Sequence, residues 1–353
     1  MRPSQNPKSK IQNRPLRLAL VGLGGHGRTI QRAAAAAGAV EIVAVCDPVA
    51  AERQAAAERF GCDEAATIEA LLARDDLDAV ALVTPNHLHR AQAEAAFEAG
   101  LDVLVEKPLA NTVADGQAMI DAAQAAGRIL MVGHNMRFGR TTRRAQQALA
   151  EGRLGEIVSF DIHFSADNTR RLPHDAWRLD PQRCPLLPVM QLGIHAIDLI
   201  HCLIGSVEDV YAVARSVTTP PGVVDSVGAT LRLASGPVGT LVSNYCTPAF
   251  FQYRIAGTEG WIRCTPNQYW LQTTAQADGE GEGPAETQDF RTFDLERSVL
   301  MLDAFATSVR QRTPPEIDGW AGLHALAVVE ALERSAANGR REQVPSFRKN
   351  QLR

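Results

Sequence analysis

The sequence predicts a two-domain α/β protein, in which a doubly wound parallel sheet precedes an α+β domain with a large, mostly antiparallel open sheet. Three observations favour this fold class. The 353 residues are enough for about two domains with separate cores. Short apolar runs alternate with alanine-rich stretches up to about Val132. Segments of alternating polar and apolar residues follow from about Gly133.

Five short runs in the first part of the chain are apolar at nearly every position, which is typical of strands covered on both faces. They are LRLALVG, EIVAVC, DAVALV, DVLVE and ILMVG. The stretches between them are predicted helices around 28–37, 50–60, 88–99 and 114–126, which gives right-handed βαβ units. We therefore expect the first domain at 16–135, after a disordered leader at 1–15.

The second part, 136–353, has the period-2 pattern of an antiparallel sheet. Its strands are predicted in IVSFDIHF, VEDVYAVARSV, VGATLRLA, VGTLVSNY and YRIAGTEGWIRC. Helices are expected at 142–151, 192–203, 297–312 and 321–338, and a flexible acidic loop at 277–286. Apolar positions fall on both faces of this sheet: Val213, Val227, Leu231, Leu233, Leu241 and Val242. One face is thus expected to pack on a second subunit.

Composition narrows the class of partner. The formal net charge of −4 supplies no basic field for nucleic acid or an anionic membrane surface, so we expect a small-molecule substrate. The six cysteines are scattered without metal-ligand spacing, which predicts free thiols in a reducing compartment and no metal. No signal-peptide pattern and no run of 18 apolar residues occurs, so a cytoplasmic protein is expected.

The first strand runs directly into a glycine-rich loop and a helix, which is the arrangement that binds dinucleotides in Rossmann domains. The loop is Gly22-Leu23-Gly24-Gly25-His26-Gly27. Gly22 permits the tight turn, Gly24 lets the backbone approach a pyrophosphate, and Gly27 lets helix and strand pack closely. The pyrophosphate is expected at the helix N-terminus, where free N–H groups attract anions.

An aspartate at the end of the next strand strengthens the prediction that this loop binds a dinucleotide. Asp47 ends the next strand, 20 residues beyond Gly27. A carboxylate there accepts hydrogen bonds from the adenosine ribose hydroxyls and repels a 2′-phosphate, so NAD is favoured over NADP. The alternative to cofactor binding is that the loop is only a tight turn between strand and helix, and that the aspartate at the strand end is unrelated to it.

Two further strand ends carry polar motifs at the edge where ligands of open α/β sheets bind. They read Thr84-Pro85-Asn86-His87-Leu88-His89 and Val105-Glu106-Lys107-Pro108. A third motif, Gly193-Ile194-His195-Ala196-Ile197-Asp198, follows later. With the glycine loop, this set resembles the Gfo/Idh/MocA oxidoreductases, and the likeness extends from Leu16 to about Asn338.

The resemblance implies roles for these residues. Lys107 corresponds to the active-site lysine, Pro108 to a cis or tight turn that aims it, and Glu106 to a contact with the nicotinamide ribose. His195 corresponds to the histidine that helps to move the hydroxyl proton. The cofactor-side contacts implied by the second motif are Thr84, Pro85, Asn86 and His89. A lysine in a closed cleft near a positive nicotinamide ring suits proton exchange with a hydroxyl.

One position departs from the family pattern. Gln191 stands four residues before His195, where sugar and polyol dehydrogenases of this type carry an aspartate. An amide can orient a substrate but cannot hold a proton. Three interpretations stay open: Lys107 and His195 act without a carboxylate, Asp175 or Asp180 substitutes, or alcohol oxidation is absent. The first is preferred, with Gln191 as a substrate-orienting group.

Further candidate substrate contacts are Trp177, Arg178 and Arg137, although Trp177 could plug an interface and Arg137 could brace a hinge. Asp198 is expected to orient His195 or to cap locally. The resemblance implies an NAD-dependent oxidation of a secondary alcohol on a sugar, an inositol-like polyol or a related cyclic compound, in a homodimer or homotetramer. Alternatives are a non-redox, NAD-using glycosidase or lyase, and a catalytically silent NAD-binding regulatory protein.

Overall fold

The computed structural model describes residues 14–274, 286–290 and 294–347, which form two compact units. Of the described residues, unit 1 takes 14–110, 114–135 and 294–319, and unit 2 takes 111–113, 136–274, 286–290 and 320–347. Most of the predicted leader and of the predicted acidic loop lies outside the described residues.

Unit 1 is built on a six-stranded parallel sheet. Its strands are β1 (Leu16–Val21), β2 (Val40–Cys46), β3 (Asp63–Ala65), β4 (Ala79–Leu82), β5 (Asp102–Val105) and β6 (Leu130–Val132). The crossing helices are α1 (Gly27–Ala36), α2 (Ala50–Phe60), α3 (Ile68–Leu72), α4 (His89–Glu98) and α5 (Val113–Ala125). This confirms the predicted doubly wound sheet, to which the structure adds the short, polar β3.

The strand order is β3-β2-β1-β4-β5-β6, so the winding reverses between β1 and β4. Leu18, Ala19 and Leu20 are completely buried in β1, as expected for a strand covered on both faces. Ligands of such sheets bind beyond the carboxyl ends of the strands at the point of reversal. The loops after β1, β4 and β5 therefore begin at the edge of the sheet that binds ligands.

A late segment of the chain belongs to unit 1, although the sequence predicts it as part of the second domain. Helix α8 (Asp294–Gln311) ends with Arg310, whose Nη2 donates to the carbonyls of Arg14 and Ala39 at 2.9 and 2.7 Å. Arg14, counted with the predicted leader, is itself fixed by a bidentate pair with Asp78 at 2.7 and 2.9 Å. Chain order alone does not reveal which sheet a terminal helix covers.

Unit 2 is built on a nine-stranded sheet in the order β14-β13-β12-β11-β7-β10-β9-β8-β15. Its strands are β7 (Ile157–Asp167), β8 (Val207–Arg215), β9 (Ser226–Leu233), β10 (Val238–Asn244), β11 (Cys246–Gly257), β12 (Gly260–Cys264), β13 (Gln268–Thr273), β14 (Glu286–Asp289) and β15 (Glu342–Gln343). Only β7 and β10 pair in parallel, which confirms the mostly antiparallel prediction for the described strands. The helices are α6 (Arg140–Ala150), α7 (Ile194–Leu203) and α9 (Gly319–Asn338).

The two faces of this sheet differ in polarity. On the inner face, Phe160 and Ile162 of β7 are buried beside α7. The outer face carries the exposed apolar side chains Tyr211, Val213, Val238 and Phe250 among polar residues. Of the six positions that the sequence predicts as spread over both faces, Val227, Leu231, Leu233 and Leu241 are buried, Val242 is half-buried, and only Val213 is exposed.

Across the described ranges, no helix has both the length and the apolar character needed to span a bilayer. In the same residues, no group of three or more histidine, cysteine, aspartate or glutamate side chains is arranged to hold a metal ion.

Candidate active site

The glycine loop of unit 1 has the shape that a bound dinucleotide requires. Gly22 has a φ of +91°, and a Cβ there would lie 2.6 Å from the Val83 carbonyl oxygen. A Cβ on Gly27 would lie 2.2 Å from the carbonyl oxygen of Gly22. A Cβ on Gly24, by contrast, would meet nothing within 4 Å. The loop is thus closed against the protein and open on the side where a pyrophosphate would approach the start of α1, whose first turn holds no acidic residue.

Asp47 follows β2 and is fixed by the same loop. Its Oδ2 accepts a hydrogen bond from the Leu23 N–H at 2.8 Å, and its Oδ1 accepts one from the Val49 N–H at 2.9 Å. A carboxylate has about four acceptor positions, so both oxygens retain capacity for ribose hydroxyls. The site of unit 1 therefore fits an NAD(P) cofactor, with the glycine loop at the pyrophosphate and Asp47 at the adenosine ribose.

The glycine loop also contacts the motif after β5. His26 Nε2 lies 3.2 Å from Glu106 Oε1, and the Lys107 N–H donates to Glu106 Oε2 at 3.2 Å. Glu106 is only 7% exposed. Burial acts to raise the pKa of Glu106, but His26 and Lys107 outweigh it and hold that pKa below its ordinary value. Glu106 is consequently an ionised carboxylate next to Lys107, and the Lys107–Pro108 peptide bond is cis.

His89, at the start of α4, lies between the two strand-end motifs. Its Nδ1 is 3.0 Å from the Pro108 carbonyl and its Nε2 is 3.0 Å from the Thr84 carbonyl. The residue is 1% exposed, and burial lowers the pKa of its imidazole, while the contacts with the two carbonyls oppose this decrease. This geometry gives His89 a positioning role between the two motifs, and the direct cofactor contact that the resemblance implies stays a prediction. Asn86, in the turn before α4, is also buried.

In unit 2, Gln191 lies on a single π-helical turn, Val189–Gly193, which leads into α7. Such turns are frequent at functional sites. Its Oε1 accepts a hydrogen bond from Arg178 Nε at 3.1 Å, and its Nε2 is 3.4 Å from Cys184 Sγ. Because arginine can only donate, the amide oxygen must face Arg178. The side chain that replaces the family's aspartate thus has a defined orientation.

Arg178 lies in the short helical turn Trp177–Leu179, with its guanidinium 4.4 Å from the centre of the Trp177 ring. Near it is Tyr245, which the sequence interpretation missed. Burial raises the pKa of this phenol, while the Arg178 charge and a hydrogen bond with Asn168 oppose the increase. Tyr245 comes directly after β10, and this strand-end position was the available signal.

His195 is the second residue of α7, half-buried, with its ring centre 6.1 Å from that of Phe164. Asp198 accepts two hydrogen bonds from Arg137, at 2.8 and 2.5 Å, and its expected role in orienting His195 or capping locally stays a prediction. Arg137 is 8% exposed, so this buried pair braces α7, and the substrate contact of Arg137 stays a prediction.

Asp175 and Asp180, the two acids that could substitute for the family's aspartate, have surroundings unlike those of Gln191. Asp180 accepts the Gln182 N–H at 2.9 Å and pairs with Arg183 at 3.3 Å, and Asp175 is exposed.

The predicted site residues are divided between the two units. The cofactor loop, Glu106 and Lys107 belong to unit 1, whereas Arg178, Gln191 and His195 belong to unit 2.

Comparisons with known proteins assign the family. Residues 16–134 match a model described as an oxidoreductase family with an NAD-binding Rossmann fold, and residues 142–263 match the Gfo/Idh/MocA C-terminal domain. D-xylose 1-dehydrogenase (NADP(+)) 2 of Haloferax volcanii is 32% identical over 304 residues, covering 85% of this chain and 90% of that protein. The chain belongs to the Gfo/Idh/MocA oxidoreductase family.

Other members of the Gfo/Idh/MocA family match along nearly the whole chain. Inositol 2-dehydrogenase of Rhizobium meliloti is 27% identical over 340 residues, which cover 92% of this chain and 98% of that protein. The structure of levoglucosan dehydrogenase in complex with NADH has a TM-score of 0.86 at 24% identity, covers 94% of this chain and 100% of its own, and shares the fold. The predicted family, fold class and NAD(P)-dependent dehydrogenase class are confirmed.

Proposed function

We propose that this protein is an NAD-dependent dehydrogenase that oxidises a secondary alcohol of a sugar, an inositol-like polyol or a related cyclic compound. The observation that supports it most is the 3.2 Å contact between His26 of the glycine loop and Glu106, which directly precedes Lys107. A proton-transferring lysine is thereby tied to the loop that holds the cofactor. The bound nicotinamide would supply the acceptor for the hydride that leaves the carbinol carbon.

The chain's own residues handle binding and the proton. Lys107 takes the hydroxyl proton through its amine, and the ionised Glu106 favours positive charge beside it. His195 assists that proton transfer. Gln191, oriented by Arg178, contributes a hydrogen bond that positions the substrate. No carboxylate at position 191 is required when Lys107 is the base.

NAD is the proposed cofactor because Asp47 faces the adenosine ribose position and would repel a 2′-phosphate. Arg53, a nearby cation that could accept such a phosphate, is engaged elsewhere. Its Nη1 donates to the Asp47 and Pro48 carbonyls at 3.3 and 3.2 Å, and its Nε lies 3.4 Å from Glu64. The relative from Haloferax volcanii carries NADP(+) in its name, so the proposed NAD preference would distinguish this chain from that relative.

A turnover screen tests the proposal. Purified protein is mixed with NAD or NADP and with inositols, aldoses, sugar acids and amino sugars, and reduced nicotinamide absorbance is followed. We expect a signal with at least one class, faster with NAD, and lost in Lys107→Met. Binding of NADH to that variant, measured by fluorescence, shows that the cofactor site is intact. Absence of any signal while NADH binds would reject the proposal.

A second candidate is a non-redox reaction that uses bound NAD for a transient oxidation. Two observations favour this candidate. The amide of Gln191 cannot hold a proton. A relative named 2,7-anhydro-N-acetylneuraminate hydratase is 35% identical to this chain over 140 residues. That match covers 40% of this chain. Conversion of substrate without accumulation of NADH would select this candidate.

The outer face supports a proposed homodimer or homotetramer, since Tyr211, Val213, Val238 and Phe250 leave exposed apolar area on it. Light scattering that gives a monomer mass would refute it.

A reducing compartment such as the cytoplasm agrees with the six cysteines, which form no disulfide within the residues that the structure describes. Burial raises the pKa of the Cys46 thiol to about 11 and that of the Cys264 thiol to about 12.

A further inference from the structure

Arg178 differs in its partner from Arg137 and Arg144, two other poorly exposed arginines of unit 2. Arg137 pairs with Asp198 at 2.5 Å and Arg144 pairs with Glu286 at 2.6 Å. Arg178 instead donates its Nε to the neutral amide of Gln191. In the part of the chain that the structure describes, no carboxylate forms an ion pair with Arg178.

Of the acids near Arg178 in sequence, Asp175 is exposed and forms no ion pair with it, and two others are engaged by other cations. Asp180 pairs with Arg183 at 3.3 Å, and Asp167 pairs with Arg170 at 3.2 Å. Arg178 is half-buried, with one face of the guanidinium against the Trp177 ring. A cation that is partly removed from water without a counter-charge favours an anion that can be bound from outside.

The geometry of the guanidinium defines which anion fits. The Nε edge is occupied by Gln191 Oε1, and the ring of Trp177 covers one face. The two terminal nitrogens form the remaining edge, which is a planar fork that matches the two oxygens of a carboxylate. One fork with a single positive charge suits a monoanion better than a phosphate dianion.

We propose that the substrate carries a carboxylate and that Arg178 binds it, so that the substrate class is a sugar acid or uronic acid instead of a neutral sugar. This inference rests on the proposed function and specifies its substrate. Arg178 and Gln191 form one recognition unit: Gln191 fixes the guanidinium while leaving its charge for the substrate.

The amide at position 191 is central to this selectivity. A carboxylate in the same place would accept the Arg178 N–H and cancel its charge. Gln191→Asp, which changes the side chain by one methylene and a charge, should therefore reduce the preference for acidic substrates.

The experiment compares ligands that differ only in the acid group: D-glucose with D-glucuronate, and D-galactose with D-galacturonate, with D-glucose 6-phosphate as the phosphate arm. Binding to the full-length protein with NADH present is measured by calorimetry, and turnover with NAD in parallel. We expect at least one uronate to bind about tenfold or more tightly than its neutral partner, as a charge-assisted bidentate contact provides.

Variants distinguish a specific contact between Arg178 and the substrate carboxylate from a general effect of positive charge. Arg178→Gln should remove the uronate preference, and Arg178→Lys, which keeps the charge without the fork, should retain only part of it. Arg170→Gln is the matched control, because Arg170 is exposed and paired with Asp167. Neutral sugars that bind as well as uronates, or tighter binding of the phosphate ester, would overturn the proposal.

The two proposals fail in different ways. Uronate binding that depends on Arg178, with no turnover of any ligand, would support the carboxylate site and reject the dehydrogenase. Turnover of neutral sugars that is insensitive to Arg178→Gln would support the dehydrogenase and reject the carboxylate site.

Discussion

Arg137 and Asp198 form a bidentate ion pair in unit 2, with Nε–Oδ2 and Nη2–Oδ1 distances of 2.8 and 2.5 Å and both residues less than 10% exposed. The pair fixes Asp198 in α7, the helix that carries His195. A buried pair of this kind is held together by its low-dielectric surroundings, but each partner is costly when it is left alone.

Removal of one partner of this pair should be strongly destabilising. Arg137→Met leaves the Asp198 carboxylate buried without a counter-charge and is expected to lower the free energy of unfolding by about 3–5 kcal/mol. Urea denaturation measures the change. The double variant Arg137→Met with Asp198→Leu should recover most of it, because no unpaired charge remains. A single variant as stable as the wild type would show that the pair does not form.

Replacement of Asp47 should change the cofactor preference. Asp47→Ser removes the carboxylate that repels a 2′-phosphate. The ratio of kcat/KM with NAD to that with NADP should fall by roughly tenfold or more. Parallel kinetics with both cofactors measure the ratio. Asp63→Ser is a matched control, since Asp63 is an exposed β3 residue paired with Arg74. An unchanged ratio would refute the assigned role of Asp47.

Glu106 should contribute stability that depends on pH. Its pKa in the folded protein is lowered, because His26 and Lys107 outweigh the effect of burial. The contribution is therefore fully present above the ordinary glutamate pKa, about 4.3, and is lost as the pH falls through the lower folded pKa.

Urea denaturation of the wild type and Glu106→Gln over a pH series checks the sign. The difference in unfolding free energy, about 1–3 kcal/mol at neutral pH, should stay constant down to about pH 5 and shrink in more acidic buffer. A difference that grows on acidification would mean that Glu106 is protonated in the folded protein at neutral pH.

His89 should affect turnover more than cofactor affinity. Because its ring bridges the Thr84 and Pro108 carbonyls, His89→Leu should release the turn that follows Lys107 and lower kcat by roughly tenfold to a hundredfold. Affinity for NADH, measured by fluorescence titration, should change little. His89→Gln, which can donate to one carbonyl, should restore part of kcat. Equal losses in affinity and kcat would instead support direct contact with the cofactor.

The fold of unit 1 could be predicted because its signals are local. Uniformly apolar strands, glycines at fixed offsets and Asp47 at a strand end each report on their own few residues, and the structure keeps their order. The assignment of α8 to unit 1 could not be predicted, since it depends on Arg310 bonding to the Arg14 and Ala39 carbonyls, far away in sequence.

The candidate site was predictable by residue type but not by partner. The sequence identifies Glu106, Gln191 and Asp198 as candidates. It does not reveal that His26 faces Glu106, that Arg178 faces Gln191, or that Arg137 faces Asp198. These contacts join segments that are separated by 80, 13 and 61 residues, and side-chain pairing at such distances depends on tertiary packing.

The central claim, net oxidation of an alcohol by this chain, is tested most directly by isotope transfer. The best substrate from the screen is prepared with deuterium on the reacting carbon and incubated with NAD and the wild-type protein. The reduced cofactor is then analysed by mass spectrometry. We expect one deuterium in NADH for each substrate oxidised, and none with Lys107→Met. Product formed with deuterium retained in it, and no labelled NADH, would contradict the claim.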